Sequence, residues 1–186
     1  MLKTAMHYSH ELLREIVTTG DHVVDATMGN GNDTLFLAQL VGVSGKVDAF
    51  DIQKSALLAT QEKLARHPEQ VAVNLHLAGH ENAATYLQGK KIKAAIFNLG
   101  YLPKSDKQII TLPETTKKAL TALLEHLLPQ GRIILVCYYG HPGGKEELDA
   151  LKSYCNDLPQ ERYNVLAYQF INQKNNPPLL LCIEAK

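Results

Sequence analysis

The sequence predicts an α/β fold in which a mostly parallel sheet is covered by helices on both faces. Apolar strand-like segments and amphipathic helical segments alternate along most of the chain, as they do in proteins with parallel sheets. The last two strand-like segments are joined by Asn172–Pro178, which is too short for a crossover helix, so they must pair antiparallel. A glycine-containing turn follows the first strand-like segment and opens a helix, which is typical of nucleotide-binding folds.

The individual elements follow from hydrophobic periodicity, taken in chain order. An opening helix is predicted over Ser9–Thr19, because Leu12, Leu13, Ile16 and Val17 fall on one helical face. Five strands follow, at Val23–Ala26, Lys46–Phe50, Val71–Ala78, Ala94–Asn98 and Arg132–Tyr138. The helices between them are Thr34–Leu40, Ser55–Arg66, His80–Leu87 and Thr115–Leu128, and a helix over Lys145–Leu158 comes after the fifth strand. The chain then ends with strands at Asn164–Ile171 and Leu179–Glu184.

The terminal strand pair decides the type of sheet. Six parallel strands and a seventh that runs in the opposite direction form the seven-stranded Rossmann-like sheet of class I methyltransferases. An NAD-binding Rossmann domain more often keeps its sixth strand parallel and stops there. The 186 residues fit one domain by length and contain no repeat, no low-complexity tract and no linker. We therefore predict a single domain over residues 1–186.

Composition bounds the classes of function. Hydrophobic residues make up 45% and charged residues 20% of the chain, which is ordinary for a globular protein. The 19 basic and 19 acidic residues balance to zero, so nucleic-acid binding would depend on a local basic patch. Cys137, Cys155 and Cys182 lack Cys-x-x-Cys spacing, which predicts buried thiols in a reducing compartment. With no signal-peptide-like segment and no apolar run of membrane-spanning length, we expect a cytoplasmic protein without membrane contact.

The glycine turn after the first strand is the strongest functional signal. Gly29 and Gly31 match the first two glycines of the dinucleotide-binding pattern Gly-x-Gly-x-x-Gly, but Thr34 stands at the third position. Asp25 closes the strand just before this turn. An acidic residue followed by Gly-x-Gly suits a ligand that brings a positively charged amino-acid end to the turn, and S-adenosylmethionine is such a ligand. The glycines let the backbone contact it, because a Cβ would fill the space that the ligand needs.

A second acidic residue supports a nucleoside ligand. Asp51 ends the second predicted strand, 20 residues after Gly31. A carboxylate at this place accepts hydrogen bonds from ribose hydroxyls. The placement fits NAD and S-adenosylmethionine equally. The structural alternative is a turn aspartate that caps the helix beginning near Ser55.

Ligands of open α/β sheets lie beyond the carboxyl ends of the parallel strands, and this rule identifies the loops that form the site. The loops are Met28–Asp33, Asp51–Gln53, Gly79–Asn82, Asn98–Pro103 and Tyr139–Gly144, with the final hairpin loop on the same side. The candidate cofactor-binding residues on this rim are Asp25, Met28, Gly29, Asn30, Gly31, Asn32, Asp33, Asp51, Gln53, His80, Glu81 and Asn98.

The turn after the fourth strand, Asn98-Leu99-Gly100-Tyr101, holds the candidate catalytic residues. It is similar to the Asn/Asp-Pro-Pro-Tyr signature of methyltransferases that act on planar or amino nitrogens, with Leu-Gly in place of Pro-Pro. The Asn98 side-chain oxygen and the Leu99 carbonyl can accept hydrogens of an amine and aim its lone pair at the methyl group. Gly100 permits close approach, and Tyr101 can stack on a base. The structural alternative is a strand-terminating turn with a core tyrosine.

Three further side chains are candidates on the same rim. His141 could take a proton from an ammonium substrate, although His-Pro-Gly-Gly is also a good turn. Lys104 and Lys107, in the irregular segment 102–113, are the candidate contacts to nucleic acid. The other histidines show no metal-ligand spacing, so we predict no metal site.

Six segments carry a resemblance to a known family: Asp25–Thr34, Ala49–Gln53, Phe97–Pro103, Gly140–Gly143, Phe170–Gln173 and Asn176–Pro178. Taken together, they resemble one small family of bacterial class I methyltransferases. This family is labelled rRNA methylases and is associated with the tRNA wobble-uridine methyltransferase of Gram-positive bacteria. The resemblance implies methylation of the aminomethyl group of 5-aminomethyl-2-thiouridine in tRNA, with S-adenosylmethionine as cofactor. It also implies that Asn30, Asp33, Asp51, Gln53 and His80 contact the cofactor and that Asn98 through Tyr101 hold the substrate amine.

Three alternatives remain open at this point. A methyltransferase acting on rRNA or another nucleobase amine fits the Asn98 turn equally well. An NAD-linked oxidoreductase is disfavoured by Thr34 and by the reversed last strand. A non-catalytic nucleotide-binding module is disfavoured by the concentration of polar residues on one rim.

A homodimer would suit so small an enzyme acting on a large partner.

Overall fold

The computed structural model describes residues 1–67, 73–100 and 111–186, and within these ranges the chain forms seven strands and six α-helices. The strands are β1 His22–Asp25, β2 Lys46–Asp51, β3 Val73–Leu77, β4 Ile92–Leu99, β5 Leu127–Cys137, β6 Tyr163–Tyr168 and β7 Leu179–Ala185. The α-helices are α1 Ala5–Arg14, α2 Asn32–Val41, α3 Lys54–Ala65, α4 Ala83–Leu87, α5 Pro113–His126 and α6 Gly144–Asn156, and a short 3-10 helix spans His80–Asn82.

The strands form one sheet in the order β3-β2-β1-β4-β5-β7-β6. The pairs β1–β2, β2–β3, β1–β4 and β4–β5 are parallel, whereas β7 runs antiparallel to both β5 and β6. This confirms the predicted sheet with its reversed last strand. The order changes direction between β1 and β4, and that switch point is where ligands bind in open α/β sheets.

Helices cover both faces of the sheet, because the side chains of the central strands alternate between two apolar layers. Val24 and Phe97 face α4, α5 and α6, while Val23 and Ile96 face α1 and α2. The central strands are apolar almost throughout, as is usual for parallel strands buried on both faces. The layers hold the carboxyl ends of β1, β2 and β4 at one edge.

Helix α1 begins earlier than the predicted Ser9 because its cap lies upstream. The Thr4 hydroxyl accepts a hydrogen bond from the His7 backbone N–H at 3.3 Å. The Ser9 hydroxyl instead donates to the Met6 carbonyl at 2.7 Å, inside the helix. The helix ends at Arg14 rather than Thr19, and Val17 is buried just beyond that end.

Other boundaries also differ from the predicted ones. Strand β5 begins at Leu127, which pairs with Ile92 across an irregularity in the ladder, rather than at Arg132. The predicted helix over His80–Leu87 is divided into the 3-10 helix and α4, and β6 ends at Tyr168 instead of Ile171. The first residues of the predicted third strand, 71 and 72, lie outside the described residues. The three cysteines are buried and free, as predicted.

No helix in the described part of the chain is long and apolar enough to cross a membrane.

Candidate active site

Backbone hydrogen bonds hold the loops after β1, β2 and β4 together at the switch point. The Ala26 N–H donates to the Ile96 carbonyl at 2.9 Å, and the Met28 N–H donates to the Phe50 carbonyl at 2.8 Å. The Asn98 N–H donates to the Thr27 hydroxyl at 2.7 Å. The loop after β1 is therefore fixed to both neighbouring strands, which brings the predicted site residues of three loops to one place.

The glycine turn has left-handed backbone at both glycines, with φ of 50° at Gly29 and 73° at Gly31. A Cβ at Gly31 would lie 2.8 Å from the Thr60 hydroxyl oxygen of α3. The Thr60 hydroxyl in turn donates to the Gly29 carbonyl at 3.2 Å. The sequence predicted that Gly31 leaves room for a ligand. That reason is wrong, because a Cβ at Gly31 would fill space occupied by Thr60 of α3.

Asp25 lies beneath the turn and is fully buried. Its carboxylate accepts the Thr34 hydroxyl at 2.6 Å and the Thr27 N–H at 3.1 Å. Burial, together with the charge of Asp33, raises the pKa of Asp25 to about 7. Thr34, at the position of the missing third glycine, thus ties α2 to Asp25. This geometry assigns Asp25 to holding the turn rather than to facing the ligand.

Asp51 links the glycine turn to α3. One carboxylate oxygen accepts the Gly29 N–H at 3.1 Å and the other accepts the Gln53 N–H at 2.9 Å. Burial raises the pKa of Asp51, and backbone hydrogen bonds from Gln53, Gly29 and Ile52 oppose that effect. A carboxylate has about four acceptor sites, so Asp51 can still accept a hydroxyl of a ligand.

His80 begins the 3-10 helix and is almost fully buried, which lowers its pKa. Its ring meets Phe97 edge to face, with centroids 5.5 Å apart. Nε2 is buried and has no hydrogen-bond partner within the described residues. Such an unsatisfied atom is costly unless a ligand pairs with it. The neighbouring Glu81 folds back against Gly79.

Asn98, at the end of β4, presents a second unsatisfied atom. Its Nδ2 donates to the Asp33 carboxylate, and because a carboxylate only accepts, the amide must turn its NH2 toward Asp33. Oδ1 therefore points the other way, where it is buried without a partner among the residues described. The predicted acceptor for an amine hydrogen is thus available. The Leu99 carbonyl, by contrast, already accepts the Tyr138 N–H at 2.9 Å.

Gly100 is fixed by Thr111, the first described residue after segment 101–110. The Gly100 N–H donates to the Thr111 hydroxyl and the Thr111 N–H donates to the Gly100 carbonyl, both at 3.0 Å. The Thr111 hydroxyl donates to the buried Glu147 of α6 at 2.7 Å. Tyr101, Lys104 and Lys107 lie outside the described residues.

His141 lies beside this turn, as predicted. A Cβ at Gly100 would be 3.6 Å from His141 Nε2, and Nδ1 is 3.0 Å from the Pro142 carbonyl oxygen. A cleft of about 490 Å³ opens next to it, lined among others by Tyr139, Lys145, Lys152 and Asn176.

The other predicted cofactor residues divide between the core and the surface. Met28 is buried against Ala49 and Ala56. Asn32 accepts a hydrogen bond from Lys63, and Asn30 is exposed on the rim. Gln53 is half-buried. No group of three or more metal-binding side chains occurs within residues 1–67, 73–100 and 111–186.

Comparison with known proteins identifies the family. A family model described as "Putative rRNA methylase" matches residues 47–184. The chain belongs to that family. A chloroplastic tRNA (mnm(5)s(2)U34)-methyltransferase of Arabidopsis thaliana is 37% identical over 187 residues, which cover 96% of this chain and 68% of that protein.

Two solved structures share the fold of this rRNA-methylase family member over 100% of both chains. A protein of Clostridium thermocellum has a TM-score of 0.98 at 44% identity, and SMU.1697c of Streptococcus mutans, solved in complex with SAH, has a TM-score of 0.92 at 42% identity. The chain is a class I methyltransferase that uses S-adenosylmethionine. This confirms the predicted fold, enzyme class and cofactor, and it removes the oxidoreductase and binding-module alternatives.

The described residues of the methyltransferase fit this cofactor. Asp51 offers spare acceptors at the end of β2, His80 offers an unsatisfied ring nitrogen, and Asn98 offers an unsatisfied oxygen. Three residues that hydrogen-bond to this region were not singled out from the sequence: Thr27, Glu147 and His10, whose Nε2 lies 2.7 Å from Asp33 Oδ1. A buried glutamate within the apolar stripe of α6 was the available signal for Glu147.

Proposed function

We propose that this methyltransferase N-methylates the aminomethyl group of 5-aminomethyl-2-thiouridine at the wobble position of tRNA, giving 5-methylaminomethyl-2-thiouridine. The observation that carries the proposal is the buried, unsatisfied Oδ1 of Asn98, an acceptor suited to an N–H of an amine nucleophile. The Arabidopsis relative, named as a tRNA (mnm(5)s(2)U34)-methyltransferase, supports the substrate.

The bound cofactor supplies an electrophilic methyl group whose sulfur leaves as a neutral thioether. The protein has to hold the nitrogen in line with that methyl group and keep its lone pair free. Asn98 Oδ1 does this by accepting one N–H of the neutral amine, which turns the lone pair away from the protein. A free alkylamine is mostly protonated at neutral pH, and exclusion of water at this buried turn favours its neutral form. After transfer, the new secondary ammonium gives up a proton, for which His141 is the proposed acceptor.

Different residues of the rim contact different parts of the cofactor in this proposal. Asp51 accepts the ribose hydroxyls beside its bonds to Gly29 and Gln53. His80 pairs with a polar edge of the adenine, which would satisfy Nε2. Asn30, Asp33 and the glycine turn contact the amino-acid end.

RNA binding by an electrically neutral chain requires a local basic surface. We propose that Lys145 and Lys152, in the cleft beside His141, contact RNA phosphates together with Lys104 and Lys107. The proposed homodimer is tested separately, by the molar mass from light scattering coupled to gel filtration.

The second candidate substrate is rRNA, which the description of the matched family model favours. The deciding experiment is methyl transfer from labelled S-adenosylmethionine to total tRNA and to rRNA from a strain lacking this gene, followed by nucleoside mass spectrometry. The proposal expects a gain of one methylene unit on 5-aminomethyl-2-thiouridine and no other changed nucleoside. Label found only in rRNA would replace the tRNA substrate by the second candidate. Label in neither RNA would overturn both.

A further inference from the structure

A continuous chain of hydrogen bonds joins the N-terminal helix to the catalytic turn. Nε2 of His10, on α1, lies 2.7 Å from Asp33 Oδ1, on α2. The other oxygen, Oδ2, accepts Nδ2 of Asn98. The Asp33 side chain is 6% exposed and the His10 side chain 22% exposed, so the chain runs from near the surface into the buried site. Each Asp33 oxygen thus has a different donor.

The His10 ring is held firmly in this position. It stacks on Phe36 with a centroid distance of 3.9 Å and an interplanar angle of 8°. Phe36 and Asp33 are three residues apart on α2 and therefore share one face of that helix. The Arg14 guanidinium, one turn along α1 from His10, lies 4.8 Å from the centre of the same Phe36 ring.

The Asn98 amide can accept a hydrogen bond from the substrate amine in only one orientation, with Oδ1 toward the amine and Nδ2 toward Asp33. A carboxamide rotated by half a turn would present an NH2 to the substrate amine and an oxygen to the Asp33 carboxylate, which would be repulsive. Asp33 prevents that rotation as long as its own carboxylate is fixed and charged. The His10 ring, as a donor on the second oxygen, holds that carboxylate in place from the other side.

We propose that His10 is a positioning residue for methyl transfer: through Asp33 it fixes the Asn98 amide with Oδ1 facing the substrate amine. The effect on catalysis rests on the proposed function, in which Asn98 Oδ1 accepts an N–H of the substrate amine. His10 itself touches neither substrate nor cofactor. Loss of its ring lets the Asp33 carboxylate rotate or take a water as partner, and the Asn98 oxygen then loses its fixed direction.

Steady-state kinetics separate this role from a merely structural one. His10→Ala is expected to lower kcat about 10-fold, because small misplacements of a positioning group slow the reaction while binding is kept. KM for tRNA should stay within about twofold, because His10 does not contact the RNA. His10→Gln should recover most of kcat, since its side-chain amide also donates to Asp33.

His7→Ala is the matched control, because His7 lies one turn earlier on α1, is exposed and contacts only Thr4 among the bonds described here. It should leave kcat unchanged. A loss of kcat in His10→Ala that His10→Gln does not restore, or that His7→Ala reproduces, would overturn the proposal.

A spectroscopic measurement tests the same geometry without turnover. In the cofactor-free protein labelled with ¹⁵N, the Asn98 side-chain NH2 signal is identified by its absence in Asn98→Ala. We expect a proton shifted downfield by its bond to Asp33, moved back in His10→Ala and kept in His10→Gln and His7→Ala. An Asn98 signal unaffected by His10→Ala would overturn the positioning role. If the wild-type enzyme methylates no RNA, the proposed function fails, and this signal alone decides whether His10 sets the amide.

Discussion

Two clusters of polar side chains lie at opposite ends of the parallel sheet, and they differ in how completely they are satisfied. Toward the amino ends of β1, β2 and β3, the buried Asp48 accepts hydrogen bonds from His22 at 2.6 Å, His76 at 2.8 Å, Lys46 at 2.9 Å and Asn74 at 3.1 Å. Burial by itself would raise the pKa of Asp48, but these donors outweigh it and hold that pKa well below its usual range.

At the carboxyl ends, the balance is reversed. Asp25 and Asp51 both have raised pKa values, because burial there is stronger than the bonds that they receive. Nε2 of His80 and Oδ1 of Asn98 lack partners within the described residues. One end of the sheet therefore contributes stability, while the other keeps unsatisfied groups that ligands can use. Mutations at the two ends should separate stability from activity.

The largest expected effect is on stability, from Asp48→Asn. The variant removes the charge and turns an NH2 toward side chains that donate, so the free energy of unfolding should fall by about 3 kcal/mol. Urea denaturation followed by circular dichroism measures it. Asp157→Asn, at an exposed position, is the control and should change stability by less than about 0.5 kcal/mol. Equal effects of the two substitutions would contradict the role of Asp48.

The acid dependence of stability sharpens this prediction. Because the pKa of Asp48 is lower in the folded than in the unfolded chain, its contribution is present above the unfolded value of about 4 and is lost as pH falls through the folded value. Wild-type stability should decline below about pH 4 more steeply than that of Asp48→Asn. Parallel curves for the two proteins would show that other groups control the acid transition.

The largest expected effect on activity comes from Asn98→Ala. Removing Oδ1 should lower kcat by at least about 10-fold while leaving cofactor affinity nearly intact, because the lost contact is to the amine. Single-turnover methylation and calorimetric titration with S-adenosylhomocysteine measure the two quantities. Comparable losses in both would show Asn98 to be structural.

Asp51→Ala should have the opposite pattern. It removes the proposed acceptors for the ribose hydroxyls, so cofactor affinity should fall by about 10-fold and kcat at saturating cofactor should change less. The same titration and assay provide the measurement, and thermal unfolding controls for the lost bond to Gly29. Unchanged affinity in a folded variant would remove Asp51 from the cofactor site.

The smallest expected effect is at the proposed RNA surface. Lys152→Gln should raise KM for tRNA about twofold and reduce the dependence of binding on salt, because one phosphate contact is lost. Lys90→Gln is the control, since Lys90 is exposed between α4 and β4, away from the rim. If both variants respond alike to salt, the cleft is not an RNA contact.

The fold was predictable because its signals are periodic. Alternating strand and helix patterns, and the short connection before β7, specified the sheet and its reversed strand. Boundaries were wrong where one local contact decides them. The Thr4 hydroxyl caps α1 upstream of Ser9, and Leu127 pairs with Ile92 ahead of the rest of the β5 ladder. A pattern averaged over a dozen residues does not register one hydroxyl.

The candidate site was predictable where topology alone places residues together. Asp51, His80 and Asn98 were identified because each lies at or just beyond the carboxyl end of a parallel strand, and these ends lie along one edge of the sheet. His10 was missed because its contact joins distant parts of the chain and leaves no local pattern. The contact of Glu147 is equally remote, and its only local signal was its position in the apolar stripe of α6. His10 is 23 residues from Asp33, and Glu147 is 36 residues from Thr111.

The paired bonds between Gly100 and Thr111 fasten the catalytic turn from its far side. Together with Glu147 they make a closed junction, so any sequence between these two residues leaves and rejoins the fold at fixed points. The turn that holds Asn98 is therefore anchored to α6 through Thr111 and Glu147 as well as to β1 through Thr27. A change in how α6 packs would reach the reacting nitrogen through two hydroxyl groups.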